Sequence, residues 1–209
     1  MCLVAVEDEL SEVVALKLLE GKVAYNPRVL RKNGYGYLKK NLKSFCETAR
    51  NVGRVLIVTD LDSTTCAPQL IKNWFGATIK PDRMLFRVAI REVEAWIMAD
   101  RDAFARFLGI EVDKIEKNME GLADPKRYLL QLSEHVKDRK LKHDLIKKEK
   151  AIAVQGLGYN KRLSEFTSNH WCPQRASENS PSLAKAVTRI EAWSLLQDRA
   201  FDISTQKVH

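Results

Sequence analysis

Three short apolar runs in this chain each lead straight into carboxylates. Cys2-Leu3-Val4-Ala5-Val6 is followed by Glu7-Asp8-Glu9, Arg54-Val55-Leu56-Ile57-Val58-Thr59 by Asp60-Leu61-Asp62, and Met84 to Ile90 by Arg91-Glu92-Val93-Glu94. Short continuous runs rich in β-branched residues suit strands buried on both faces, as in a parallel sheet. In open α/β sheets ligands bind where such strands end. Asp60-x-Asp62 alone offers a hard-oxygen pair of the kind that holds Mg²⁺ (or Mn²⁺) with several retained waters. The same Asp-x-Asp-Ser-Thr stretch is also good turn and N-cap chemistry. Carboxylates crowded at one sheet edge repel one another unless a cation compensates them. Glu7, Asp60, Asp62, Glu92 and Glu94 together are therefore a candidate metal site. Independent helix caps are the plainer alternative.

The elements that position these acids alternate strand and helix. Leu10, Val13, Val14, Leu18 and Leu19 recur at helical spacing before Gly21, and Lys22 to Asn33 reads as a brief strand and a loop that Gly34 and Gly36 extend. Leu38, Leu42, Phe45 and Ala49 mark one amphipathic helix with Lys39, Lys40 and Lys43 outward. Pro68 to Phe75 makes a short helix ended by Gly76, and one apolar helix is expected from Ala95 to Gly109. The pattern predicts an α/β fold, Rossmann-like, with a mainly parallel sheet and helices on both faces. Residues 1–110 form that core in this reading. Residues 111–209 form a mostly helical, basic C-terminal extension packed on it, with helices from Pro125, over Asn160 to Trp171 and from Pro181 to Leu196, and a polar tail that frays.

With 209 residues and 45% apolar content, the chain is large enough to bury a core. No apolar run approaches the length of a membrane span, so no membrane association is expected. Met1 to Glu7 lacks the features of a signal peptide, and Cys2, Cys46, Cys66 and Cys172 are scattered. The expected location is therefore cytoplasmic, with reduced thiols and neither a disulfide frame nor a zinc site. His135, His143 and His170 show no metal-ligand spacing, and Gly156-x-Gly158 reads as a turn. The net charge of +8 permits a polyanionic partner. Arg139, Lys140, Lys142, Lys147 and Lys148 form the densest basic segment. It is either a solvated face or a phosphate-backbone footprint.

Several families put acids at strand ends. The opening Val4 to Glu9 is similar to a response-regulator receiver, but Lys80-Pro81 follows Asp60 too soon for that fold's later βα unit. Val55 to Thr64 is similar to the first motif of haloacid-dehalogenase-type phosphatases, with Asp60 as nucleophile, yet their later acidic motifs are missing. Glu7, Asp60-x-Asp62 and Arg91-Glu92-Val93-Glu94-Ala95-Trp96-Ile97-Met98-Ala99-Asp100 together resemble the TOPRIM (topoisomerase–primase) family. The likeness is to an uncharacterised bacterial branch related to phage-defence nucleases paired with ATPases. It covers residues 2–110, with Gly158-Tyr159-Asn160 and Ser180-Pro181-Ser182-Leu183 as fainter echoes. The family's Glu-Gly turn is here Glu7-Asp8-Glu9, which leaves the first-strand ligand open between Glu7 and its neighbours.

The resemblance implies Mg²⁺-dependent cleavage of phosphodiester bonds in RNA or DNA. Glu7, Asp60 and Asp62 would hold one or two ions, and Glu92 or Glu94 would be a further ligand or the base that activates water. Lys39, Lys40 and the basic segment with Arg139, Lys140, Lys142, Lys147 and Lys148 would then lie along the nucleic acid. It further implies an effector of a bacterial anti-phage defence system, with an ATPase as protein partner and a homo-oligomer among the expected states. Two other readings are a non-catalytic regulatory or binding subunit of an ATPase complex and the phosphatase using Asp60.

Overall fold

The computed structural model describes residues 1–23, 26–31, 34–149 and 152–205. In chain order the elements are β1 (Cys2–Val6), α1 (Glu9–Leu19), β2 (Arg28–Arg31), α2 (Gly34–Lys40), α3 (Leu42–Asn51), β3 (Arg54–Asp60), α4 (Ala67–Phe75), β4 (Met84–Ala89), α5 (Val93–Met98) and α6 (Arg101–Leu108). Two 3-10 turns, Val112–Lys114 and Met119–Gly121, lead to α7 (Pro125–Ser133) and α8 (Arg139–Leu145). Then come β5 (Ile146–Glu149), β6 (Ile152–Gln155), α9 (Tyr159–Asn169), α10 (Pro173–Ser177) and α11 (Pro181–Thr205).

The main sheet has the order β2-β1-β3-β4 with every pairing parallel. From β1 the chain moves outward to β2, then crosses back over β1 to β3. The strand order therefore reverses between β1 and β3, and a crevice opens at that point. The alternating sides of each strand feed two cores. Val4, Val6, Leu56, Val58 and Ala89 face a large cluster shared with α1, α5, α6, α7, α9 and α11. Leu3, Ala5, Val55, Ile57 and Phe86 face a smaller one covered by α2, α3 and α4. The α/β class, parallel sheet and helices on both faces agree with the sequence pattern. The large cluster has members from Cys2 to Trp193, so elements beyond residue 110 share one of the two layers on the sheet with α1, α5 and α6.

Several local expectations change. Gly34 and Gly36 lie in α2 rather than in a loop, and the helix expected through Leu38 to Ala49 is two helices that meet at Asn41. All four apolar markers are still buried on one side, so the break alters direction without altering the face. The helix expected from Ala95 to Gly109 breaks at Asp100, whose carboxylate turns away to bind Arg175 and the Cys172 N–H. The basic segment ends in an antiparallel hairpin, β5 with β6, which its lysines hide from a period-two reading. The last helix extends past Leu196 to Thr205, and residues 206–209 lie outside the described residues. No helix among the described residues is long and apolar enough to cross a membrane.

Candidate functional site

The carboxyl ends of β1, β3 and β4 bring the five predicted acids to one edge. Parallel register places them there: Ala5 pairs with Ile57 and Asp60 with Ala89, so each strand runs out next to its neighbours. Glu7 Oε1 accepts a short hydrogen bond from Thr59 Oγ1 and another from the Asp60 N–H at 3.0 Å. These bonds span the β1–β3 crevice and single out Glu7 as the first-strand acid. Its neighbour Asp8 caps α1 through the Ser11 N–H at 2.8 Å. Asp60 Oδ1 accepts the Val93 N–H at 3.0 Å and thereby holds the start of α5. Asp62 is exposed, and its carboxylate has no hydrogen-bond partner among the described residues.

Backbone strain accompanies this edge. Asp62 and Arg91 have φ of 49° and 64°, the two non-glycine residues with positive φ among the described residues. Asp tolerates that region through its short polar side chain, whereas for Arg it costs roughly 1 kcal/mol or more. Each braces the other. The Asp62 N–H donates to the Arg91 carbonyl at 2.9 Å, and Arg91 Nη1 donates to the Asp62 carbonyl at 2.9 Å.

The acids of β4 are anchored by the C-terminal half. Glu92 Oε2 accepts the Lys126 N–H at 2.8 Å, in the first turn of α7. Glu94 is only 6% exposed and accepts from the fully buried Tyr159 hydroxyl at 3.1 Å, while Lys126 Nζ lies 5.4 Å from the Tyr159 ring centre. Tyr159 and Lys126 are site residues that sequence reasoning missed. A faint signal existed in Gly158-Tyr159-Asn160, but nothing in its spacing pointed to Glu94. The glycines before it are steric. A Cβ on Gly158 would come within 2.6 Å of the Asp144 Cβ, and one on Gly156 would overlap the Asp144 carbonyl oxygen.

All five acids hold their protons above the ordinary carboxylate range. Burial is the leading cause for each. Mutual repulsion adds to it: Glu94, Glu7, Asp8 and Asp62 all push Asp60 well up, Asp62 and Asp8 act on Glu7, and Asp124 and Asp62 act on Glu92. Glu94, buried and next to Glu92, is raised to about 7. The Tyr159 hydroxyl is pushed up by burial and by Glu94. The acids thus form one electrostatically linked cluster.

Among the described residues, no three His, Cys, Asp or Glu side chains converge closely enough to enclose an ion. The donor chemistry nonetheless suits Mg²⁺, which needs oxygen ligands and is satisfied by one or two carboxylates with waters. Asp60 and Asp62 are such a pair, and a cation beside them would offset the repulsion that raises Asp60.

Of the predicted basic residues, two lie on α2 and the others on α8 and β5. Lys39 and Lys40 are exposed on α2, with Lys39 Nζ 5.9 Å from the Tyr35 ring centre. Arg139 and Lys140 are exposed on α8, and Lys147 is exposed on β5. Lys142 donates a short bond to the Glu134 carbonyl just past α7 and so has a structural task. The Lys148 side chain lies outside the described residues.

The rest of the resembling motif is structural. Trp96 Nε1 donates to Ser182 Oγ at 2.7 Å, and its carbonyl accepts from Trp171 Nε1 at 3.1 Å. Asn179 binds the Ala99 carbonyl at 3.0 Å, and Arg175 grips Asp100 through both oxygens, at 3.0 and 2.7 Å. No curated protein and no solved structure shows a significant match to the chain. A family model does match over residues 7–191, a stretch that includes all five acids of the edge. The chain belongs to the family described as a domain of unknown function, DUF4276.

Proposed function

We propose that the acid edge is a Mg²⁺- or Mn²⁺-dependent phosphodiesterase site and that the protein is a nuclease acting on RNA or DNA. One observation carries this reading: five carboxylates from three adjacent strand ends share one edge, each raised in pKa by burial and most by the others. Caps alone need no such concentration. A bound divalent ion would supply charge neutralisation at the scissile phosphate. Asp60, Asp62 and Glu7 are the residues suited to hold it. Thr59 and the Asp60 N–H fix the Glu7 carboxylate, and the Asp62–Arg91 brace keeps the Asp62 side chain turned outward.

Glu94 titrates near neutral pH, as a general base should, and Tyr159 holds its carboxyl in place. Glu92, tied to the α7 N-terminus, is better suited to orient than to exchange a proton. The resemblance to defence-associated TOPRIM nucleases supports an anti-phage effector role with an ATPase partner as part of the same proposal. The test is metal-dependent cleavage of labelled RNA and DNA, with and without EDTA. Wild type is expected to cut one of them with Mg²⁺ or Mn²⁺, and Glu94→Gln to cut on the order of 10²-fold or more slowly. A purified protein that binds the metal and cuts neither polymer contradicts the reading.

A second reading has its own observation. Asp60 and Glu92 each accept a backbone N–H at the start of a helix, so both also serve as caps. On that view the protein is a non-catalytic subunit, and loss of either acid lowers stability instead of activity.

A further inference from the structure

The open edge of the sheet gathers positive charge from Lys80, Arg87, Lys185 and Arg189. β4 pairs with β3 on one side only, and α11 lies against it, burying Leu183, Ala186, Val187 and Ile190. Between α4, β4 and the start of α11 runs a cleft of about 480 Å³, within the range that takes a small organic ligand. Pro68, Ile71 and Phe86 form part of its apolar wall, and Arg87, Arg91 and Lys185 contribute cationic groups.

Arg87 Nε is buried without a hydrogen-bond partner, an arrangement that costs free energy unless something fills it. Burial and the neighbouring Arg189 both disfavour the Arg87 charge. Lys80 is likewise lowered by burial and by Arg87 and Arg189. Among the described residues, no ion pair engages Arg87, Lys185 or Arg189. The cleft's one acid, Glu120, is occupied by the Ser180 hydroxyl and the Ser182 N–H. Arg91 lines the cleft and also binds the Asp62 and Thr64 carbonyls, at 2.9 and 3.4 Å, so the cleft opens beside the acid edge.

A cationic rim over an apolar wall matches a nucleotide whose base is out of its stack. Single strands expose such bases and a duplex does not. We propose that this cleft seats one nucleotide of a single-stranded nucleic acid, its base on the apolar wall and its phosphates on Arg87, Lys185 and Arg189, with the strand continuing to the acid edge. The inference rests on the nuclease reading and narrows its substrate to single strands.

The experiment is fluorescence anisotropy of the full chain with a labelled oligothymidylate, an abasic strand of equal length and a duplex, all in EDTA. The variants are Lys185→Glu/Arg189→Glu, on exposed positions of α11, and Lys43→Glu/Lys161→Glu, on exposed positions of α3 and α9, as a control for charge alone. Wild type is expected to prefer oligothymidylate over both the duplex and the abasic strand. The α11 pair should weaken binding about tenfold or more and flatten the logarithmic salt slope by roughly 1.4, two contacts at about 0.7 each. The control pair should change little. Absence of wild-type binding, preference for the duplex, equal affinity for the abasic strand or an equal loss from the control pair overturns the proposal. Because no metal is present, failure here is distinct from failure of the nuclease reading. Cleavage of single strands by wild type that the α11 pair leaves unchanged sinks the cleft alone. Oligothymidylate binding that depends on the cleft, with no metal-dependent cleavage, sinks the nuclease alone.

Discussion

Asp60 is the residue on which the opposing demands of the acid edge meet. One of its oxygens secures the α5 start, while four neighbouring acids disfavour its charge. Asp60→Asn keeps an acceptor for the Val93 N–H and removes the charge. The expected result is complete loss of metal-dependent cleavage with a thermal midpoint unchanged or higher, by about 2–4 °C for each kcal/mol of repulsion relieved. A marked fall in the midpoint would mark Asp60 as a cap first. Glu94 makes a pH prediction. Its carboxyl keeps a proton in the folded chain up to about pH 7, whereas the unfolded chain releases it near 4.5. Between those values the folded state binds more protons, so stability is full below about 4.5 and declines as pH rises to 7. The full difference is roughly 3 kcal/mol. Chemical denaturation across that window should show the decline, and Glu94→Gln should flatten it and be the more stable protein above pH 7. A variant with an unchanged slope would mean that Glu94 is not the group responsible. The acids themselves were legible because each interrupts an apolar run. Their partners were not: Tyr159, Lys126 and Arg91 carry no spacing signal, and they reach the site through contacts up to 65 residues apart in sequence.

At the scale of elements, α5 is the junction. It begins on Asp60, carries Glu94 inward, and presents Trp96 and the chain beyond it to α10 and α11. The sequence Glu94-Ala95-Trp96-Ile97-Met98-Ala99-Asp100 is wholly buried, and Asp100 pairs with Arg175 at 2.7 Å. Arg175→Ala leaves the Asp100 carboxylate, 2% exposed, without its cation. Because Arg175 itself is half exposed, the cost should fall near or below the lower end seen for broken buried pairs, about 2–3 kcal/mol. Denaturant unfolding checks this, and a loss under about 0.5 kcal/mol, the range of an ordinary surface substitution, would contradict it. Element type was readable wherever the apolar period was clean, as in the three acid-ended strands and in α4. The breaks at Asn41 and Asp100 were not, because the apolar period continues across both. At Asp100 the cause is a tertiary partner 75 residues away. The β5–β6 hairpin escaped notice because its lysines gave a charge run in place of alternation.

For the whole molecule, the distribution of charge follows the topology. Acids gather where strands end, and bases gather along the edge that β4 leaves open, with Arg91 between the two. The layer on the large-core face comes from both ends of the chain, α1 with α9 and β4 with α11. A chain cut after residue 110 would lose α9 from α1 and α11 from β4, and so bare the apolar surfaces that those helices cover. It should give no cooperative thermal transition, and a sharp transition from such a fragment would show that its core is self-sufficient. The site is equally composite, since Lys126 and Tyr159 come from beyond the cut. The central claim is that the acid edge takes a divalent cation. Titration calorimetry with Mn²⁺ above neutral pH, on wild type and on Asp60→Ala/Asp62→Ala, tests it most directly, with an uncleavable oligonucleotide added in a parallel series. Saturable binding by wild type that the double variant loses, while both proteins melt cooperatively, is the predicted result. No saturable binding by wild type in either series, or the same isotherm from both proteins, would contradict it.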